Sequence, residues 1–205
     1  MGTLSQKRVF VAGCGGLGGY AVEMLSRAGV LHISVADGDV FSRSNLNRQL
    51  LCTEATIGAS KAACAAVRAG EINPAVQVRV HPAYINEENA EGLLRDHDAV
   101  IDALDNVPSR LLLERCAETL DIPLIHGAVR EWFAQIAVIM PGDRILAKLY
   151  GEAAAATPSV PPFTPALCAA LQVSETIKLL CGRDSPAKRR LLIFDLLDYS
   201  VNNIM

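Results

Sequence analysis

The residues best suited to chemistry follow a glycine turn that can receive an anion. The turn is Gly13-Cys-Gly15-Gly16-Leu-Gly18, and Gly13, Gly15 and Gly18 fill the glycine places of G-x-G-x-x-G. In that arrangement the first glycine permits the tight turn and the second lets backbone approach a phosphate. The third lets the following helix pack closely on the strand. Free N–H groups at the helix start, with the helix dipole, then favour an anion. Asp37 follows at close to the spacing, about 20 residues, at which such folds place an acid for a ribose. Asn45, Arg48 and Lys61 supply donors and positive charge, and Asp105 supplies a hard oxygen ligand for Mg²⁺. Hydride transfer to a nicotinamide needs none of these extra cations. Nucleotidyl or phosphoryl transfer does, because charge on phosphate oxygens must be neutralised as the leaving group departs. G-x-x-x-x-G-K-[ST] is missing from the chain, which excludes a P-loop enzyme. Two bland readings stand beside this one: a glycine turn in a parallel sheet without a ligand, and a solvated loop for any single polar residue between 38 and 49.

The elements that must position these groups are legible from apolar patterning. Val9 to Ala12 reads as a short buried strand entering the glycine turn, and Gly19 to Ala28 as the helix leaving it. Val30 to Asp37 is a second strand ending in the acid, and His32 at its start is a structural histidine. Gly58 to Glu71 is an Ala-rich helix with Lys61 in its first turn, where a cation is electrostatically misplaced. Such a local misfit is expected where a ligand needs the charge. Asn73-Pro74 stops this helix. Val76 to Val80 alternates as a third strand, and Glu87 to Arg95 reads as a short helix. Asp98 to Leu104 is a fourth strand ending at Asp105-Asn106, and Pro108 suits the first turn of a helix running to about Asp121. Pro123 to Gly127 and Trp132 to Met140 are further strands. Gly142 to Pro162 breaks the pattern as a crossover connection or flap. Thr164 then caps a long helix to Cys181 that Gly182 ends, and Arg190 to Leu196 is a last strand. This alternation predicts a Rossmann-like, doubly wound α/β fold. Its sheet is mainly parallel with helices on both faces and a C-terminal antiparallel extension, and ligands lie at the carboxyl ends of the strands.

Two hundred and five residues suit one domain, expected to run over 1–205. Hydrophobic content of 51% with only 5% aromatics fits an aliphatic sheet covered on both faces. A net charge of −3 gives no reason to expect nucleic acid or an anionic membrane as partner. The polar N-terminus offers no signal peptide, and no apolar run approaches the roughly 20 residues needed to span a bilayer. Six cysteines at 14, 52, 64, 116, 168 and 181 form no C-x-x-C pair. Cys64, Cys116, Cys168 and Cys181 read as small buried hydrophobes in a reducing cytoplasm.

Taken in order, Gly13 to Gly18, Asp37-x-Asp39, Ser44-Asn45-Leu-Asn-Arg48-Gln49, Gly58-Ala-Ser-Lys61, Asn73-Pro74 and Ala103-Leu104-Asp105-Asn106 resemble the ThiF/MoeB/HesA group. These are bacterial relatives of ubiquitin-activating enzymes. Gly127-Ala128 and Gln135 extend the match, which covers about Arg8 to Met140 and resumes weakly from Thr164 to Cys181. The resemblance implies ATP-dependent adenylation of the C-terminal glycine of a small ubiquitin-like sulfur carrier ending in Gly-Gly. By it Asp37 holds the ATP ribose, while Asn45, Arg48 and Lys61 grip the triphosphate. Arg48 then acts as an arginine finger and Gln49 assists. Asp105 holds Mg²⁺ and faces the attacking carboxylate, and Gly16, Asp39, Leu104 and Asn106 join the nucleotide site. A homodimer is usual in the group.

The chain departs from that pattern in three places. Longer members carry two C-x-x-C pairs for zinc, and Ile145-Leu-Ala-Lys148 stands where the first falls, so zinc is not expected. No cysteine stands in Glu152 to Pro162, where many members hold a sulfur acceptor. The N-terminal helix that donates an arginine across the dimer is not seen before the first strand. Cys52, near the phosphate-gripping loop, is the cysteine closest to the inferred chemistry and reads as structural. These departures fit an activator limited to adenylation. Two other functions compete: a tRNA-modifying dehydratase that activates a carboxylate, against which the acidic pI of 5.8 speaks, and a non-catalytic partner subunit, which has no need for all of Arg48, Lys61 and Asp105. A dinucleotide-binding protein would be separated by preferring NAD over ATP.

Overall fold

A computed structural model describes residues 4–150 and 160–204. Val9, Phe10, Val11 and Ala12 are wholly buried, because the strand they form, β1 (Arg8–Ala12), lies inside a parallel sheet covered on both faces. The chain continues through α1 (Gly18–Ala28), β2 (His32–Ala36), α2 (Lys61–Ile72), β3 (Gln77–His81), α3 (Ala90–Leu94) and β4 (Ala99–Asp102). Then come α4 (Val107–Thr119), β5 (Leu124–Arg130), β6 (Phe133–Ile139), α5 (Ile145–Tyr150), α6 (Phe163–Leu180), β7 (Leu191–Asp195) and β8 (Ser200–Asn203). The sheet order is β3-β2-β1-β4-β5-β6-β7-β8. Neighbours from β3 to β5 pair in parallel, and β6, β7 and β8 add antiparallel. This is the Rossmann-like sheet with an antiparallel extension that the alternation predicts.

Alternate strand residues feed two cores. Val9, Val11, Ile33, Ile101 and Ile125 face α1, α2 and α6, whereas Phe10, Ala12, Val100 and Leu124 face α3, α4 and α5. The strand order reverses between the parallel neighbours β1 and β4, since β2 and β3 lie to one side and β5 and β6 to the other. A crevice therefore opens at the carboxyl ends of β1 and β4, where a doubly wound fold binds its ligand.

Several elements differ from expectation for local reasons. Ser60 caps α2 through Ala63 N, so the helix begins at Lys61 and Gly58 lies outside it in a left-handed turn. α3 is shorter than expected because the Asn86 side chain accepts from Glu88 N and Asn89 N and holds a turn instead. Thr164 is not the cap of α6. It lies within the helix, and its hydroxyl donates to the Glu131 carbonyl oxygen at 2.8 Å. The expected crossover contains α5, which apolar periodicity does not reveal. Glu114 of α4 accepts from Leu146 N at 2.7 Å and Ala147 N at 3.0 Å and so caps it from a distant part of the chain. Residues 151–159 of that connection lie outside the described residues. A final strand, β8, pairs with β7 beyond the expected end of the sheet. Cys116 and Cys168 are buried as expected, but Cys64 is half-buried and Cys181, just past α6, is exposed.

Candidate functional site

The glycine turn crosses the end of the sheet so tightly that two positions exclude any side chain. Gly13 has φ +93°, and a Cβ there would lie 2.8 Å from the Ala103 carbonyl oxygen. A Cβ on Gly18 would lie 1.8 Å from the Gly13 carbonyl oxygen, a hard overlap. These are the turn and helix-packing roles that the motif implies. Gly15 and Gly16 line the cleft above. Asp37 braces the turn: its Oδ2 accepts from Cys14 N at 2.7 Å and its Oδ1 from Asp39 N at 2.8 Å. A carboxylate oxygen has more than one lone pair, so both remain able to accept from a ribose hydroxyl.

The cleft has a volume of about 1020 Å³, enough for a nucleotide and part of a second substrate. Asp37, Asp39, Arg48, Gln49, Lys61 and Asp105 all line it, together with Leu104 and Asn106. The cation at the start of α2 is thus brought to the ligand side of the fold. Its electrostatic misfit is compensated locally, because Lys61 Nζ lies 2.9 Å from Asp39 Oδ2 while only 7% of the residue is exposed. Arg48 is held by the Ser44 carbonyl at 3.0 Å and by Asn47 Oδ1 at 2.9 Å. Gln49 is buried, with an Oε1 that finds no partner among the described residues. Asn45 is placed differently from the others. It is buried in a short 3-10 turn, where its Oδ1 accepts from Ser42 N at 3.0 Å, and it does not line the cleft. Cys52 also stays out of the cleft; burial raises its thiol pKa, which keeps it protonated and unreactive.

On the other side of the crevice, Asn106 caps α4 by accepting from Ser109 N at 2.9 Å, which fixes the loop carrying Asp105. Asp105 is exposed to the cleft, and among the described residues its one side-chain hydrogen-bond partner is Asn106 Nδ2 at 3.5 Å. A carboxylate so little committed, facing a phosphate site, fits Mg²⁺, which takes one or two carboxylates and completes its shell with phosphate oxygens and water. No cluster of three or more His, Cys, Asp or Glu able to hold a metal occurs among the described residues.

Two further groups, one lining the cleft and one reaching it from beneath, were not legible as site residues. Tyr84, from the loop after β3, packs its ring over Gly38 and donates its hydroxyl to Asp39 Oδ1. With Lys61 on the other oxygen, this lowers the Asp39 pKa from its ordinary value. The second group is a polar chain under the Asp105 side. Asp102 and His126 are cross-strand partners on β4 and β5, both wholly buried, with Nδ1 to Oδ2 2.7 Å. Burial pushes the His126 pKa down, so the ring is neutral, with its proton on Nδ1 toward Asp102. Gln135 Nε2 lies 3.0 Å from His126 Nε2 and 2.7 Å from the Tyr150 hydroxyl. Arg110 donates to that hydroxyl at 3.1 Å and, through Nε and Nη2, to the Leu104 carbonyl oxygen at 3.1 and 2.6 Å. One signal was available: a charged residue inside the apolar run Ala99-Val-Ile-Asp102 must find a buried partner.

The cleft sets the glycine turn and two cations, Arg48 and Lys61, on one side and the carboxylate of Asp105 on the other, an arrangement able to receive an anionic phosphate. That is the composition needed to neutralise a departing pyrophosphate. Comparison with known proteins agrees. Residues 1–205 match the ThiF family. The chain is 33% identical to the SAMP-activating enzyme E1 of Haloferax volcanii, over 99% of this chain and 78% of that protein. It is 33% identical to the sulfur carrier protein adenylyltransferase of Thermus thermophilus, over 98% and 79%. The molybdopterin-synthase adenylyltransferase of Escherichia coli is likewise 33% identical, over 95% and 81%. Among solved structures, E. coli MccB with ATP superposes with a TM-score of 0.85 at 18% identity, and PaaA with 0.82 at 22%. Both share the fold; the chain spans 64% of the length of each, and they cover 99% and 98% of it. With the glycine turn, Asp37, Arg48, Lys61 and Asp105 gathered in one crevice and this likeness running from end to end, the chain belongs to the ThiF family.

Proposed function

We propose that this protein is a nucleotidyltransferase that uses ATP to adenylate the C-terminal glycine carboxylate of a small ubiquitin-like sulfur carrier. The observation that carries this reading is the meeting of Arg48 and Lys61 with Asp105 across one cleft, above the glycine turn. ATP lies with its ribose at Asp37 and its phosphates over the N–H groups that follow Gly13. Lys61, released from Asp39, and Arg48 take the β- and γ-phosphates. Gln49 assists in the same cleft, where its Oε1 can accept from a hydroxyl or amino hydrogen of the nucleotide. Asp105 is the residue that would hold Mg²⁺, which supplies counter-charge to the phosphate oxygens when bound.

In the reaction a carboxylate oxygen of the carrier attacks the α-phosphorus. The new O–P bond forms as the bond to the bridging oxygen breaks, giving acyl-adenylate and pyrophosphate. No proton moves and no covalent bond to the enzyme forms, so positioning and electrostatics carry the step. The proposal includes a homodimer, to be checked by light scattering. The decisive assay is ATP–pyrophosphate exchange with Mg²⁺ and ubiquitin-like carriers ending in Gly-Gly. Exchange that depends on the carrier, and that falls about 10²- to 10³-fold in Arg48→Ala with its fold intact, is the expected result. Nucleotide binding without exchange, whatever carrier is supplied, would overturn it.

A further inference from the structure

The Tyr150 hydroxyl is the terminus of the buried polar chain, and a count of its hydrogens points to a ligand. Gln135 Nε2 carries two hydrogens, one aimed at the unprotonated His126 Nε2 and the other at Tyr150. Arg110 Nη1 also donates to the same phenol oxygen. A guanidinium N–H and an amide N–H accept nothing, so both lone-pair directions of the phenol are taken by donors. Among the described residues its own hydrogen therefore has no acceptor in these contacts. Tyr150 lines the cleft, so that hydrogen is offered to whatever occupies it.

The position of the hydroxyl decides which occupant this is. Tyr150 joins Gln135 on β6, whereas the ribose acid Asp37 follows β2. The sheet order places these strands four spacings apart, roughly 19 Å at about 4.8 Å each. Arg110 meanwhile ties Tyr150 to the Leu104 carbonyl, the residue next to Asp105. The hydroxyl thus belongs to the acyl side of the cleft. Its aim is fixed from three directions: Glu114 caps α5, Arg110 reaches from α4, and the ring stands edge-on to His126 at 6.2 Å.

We propose that Tyr150 is a positioning and specificity residue for the second substrate, donating its hydroxyl hydrogen to an oxygen of the carrier's terminal Gly-Gly segment, either the carboxylate or the preceding carbonyl. Because it offers only a donor, it selects an acceptor oxygen over an N–H. Asp102 and His126 keep the donor order, since Nδ1 must donate to Asp102 for Nε2 to accept from Gln135. This rests on the function proposed above.

The experiment is ATP–pyrophosphate exchange on the full chain, varying in turn ATP and the Gly-Gly carrier that supports exchange. Tyr150→Phe keeps the ring contacts and removes the donor. It is expected to lower kcat/KM for the carrier about tenfold or more, while KM for ATP changes by less than about twofold. Gln135→Leu, which keeps the hydroxyl but releases its orientation, is expected to lower the same carrier parameter by less; this variant decides the matter should the Phe protein fail to fold. Carrier kinetics unchanged in these variants, or KM for ATP and carrier altered together, would overturn the assignment to Tyr150 alone. A wild-type protein without exchange on any carrier would instead overturn the reading of function, and the role of Tyr150 with it.

Discussion

Lys61 occupies a position that helix electrostatics oppose. It is the first residue of α2, at the positive end of the dipole, and its ammonium is almost fully withdrawn from water. Asp39 makes this tolerable, and Tyr84 in turn holds Asp39 in place. In the proposed complex the triphosphate would offer Lys61 a second anion, and Asp39 would then serve the ligand-free protein more than the complex. Asp39→Ala is therefore expected to cost about 1–3 kcal/mol of stability without nucleotide, the usual penalty for orphaning a buried polar group. Saturating ATP should raise the urea midpoint of this variant by more than it raises that of the wild type, because bound phosphate restores a partner to Lys61. Equal increments in the two proteins would show that Lys61 does not move from Asp39 to the phosphates. Loop residues 38 to 49 gave no periodic signal. Among them Arg48 was legible through its charge and Gln49 only through the family resemblance, and both line the cleft. Asn45 was read with them from the same motif, yet its side chain builds the turn that presents Arg48.

At the scale of elements, the glycine positions separate two kinds of constraint. Gly18→Ala forces a methyl into the Gly13 carbonyl and can be relieved only by moving α1 away from β1. It should cost at least about 3 kcal/mol, the upper end of overpacking, and abolish nucleotide binding by calorimetry. Gly70 lies inside α2, where an added Cβ meets nothing within 4 Å. Gly70→Ala should instead raise stability by about 0.5–1 kcal/mol with exchange activity unchanged. If both variants destabilised alike, the close α1–β1 approach would not be the cause. The same distinction explains what could be read in advance. β1, α1, β2 and β4 were legible because local apolar runs and turn residues specify them, and Asp37 and Asp105 came with them as strand-end residues. α5 was not, since its N-terminal N–H groups are satisfied by Glu114 from α4, an interaction with no local trace. Tyr150 was hidden with it. His126 and Asp102 stood inside strands that were identified, but only the parallel register of β4 and β5 brings them side by side.

Across the whole molecule, one buried histidine, His126, and two half-buried ones, His97 and His81, set the response to acid. Burial pushes the pKa values of His126, His97 and His81 below the ordinary value of about 6.5, the largest cause in each case. A base whose folded pKa is depressed binds its proton more readily when unfolded. Stability therefore rises with pH between the folded and unfolded values, is fully present above about 6.5, and is lost as pH falls below it. Asp39, Glu23 and Asp98, all depressed, add a second loss of the same sign that begins only near pH 4. Glu114 acts oppositely, because burial raises its pKa and its protonated form is favoured in the fold. Three histidines against one glutamate predict a urea midpoint that is flat from pH 8 to 7 and falls between pH 6.5 and 5, before the aspartates titrate. Within that window nitrogen-detected NMR should find His126 still neutral, with its proton on Nδ1, for as long as the fold persists. Protonation of His126 would place a hydrogen on Nε2 facing the Gln135 amide, break the chain to Tyr150, and couple loss of carrier binding to loss of stability. A midpoint constant down to pH 5, or an imidazolium signal from His126 in the folded protein near neutrality, would refute this account of the buried pair.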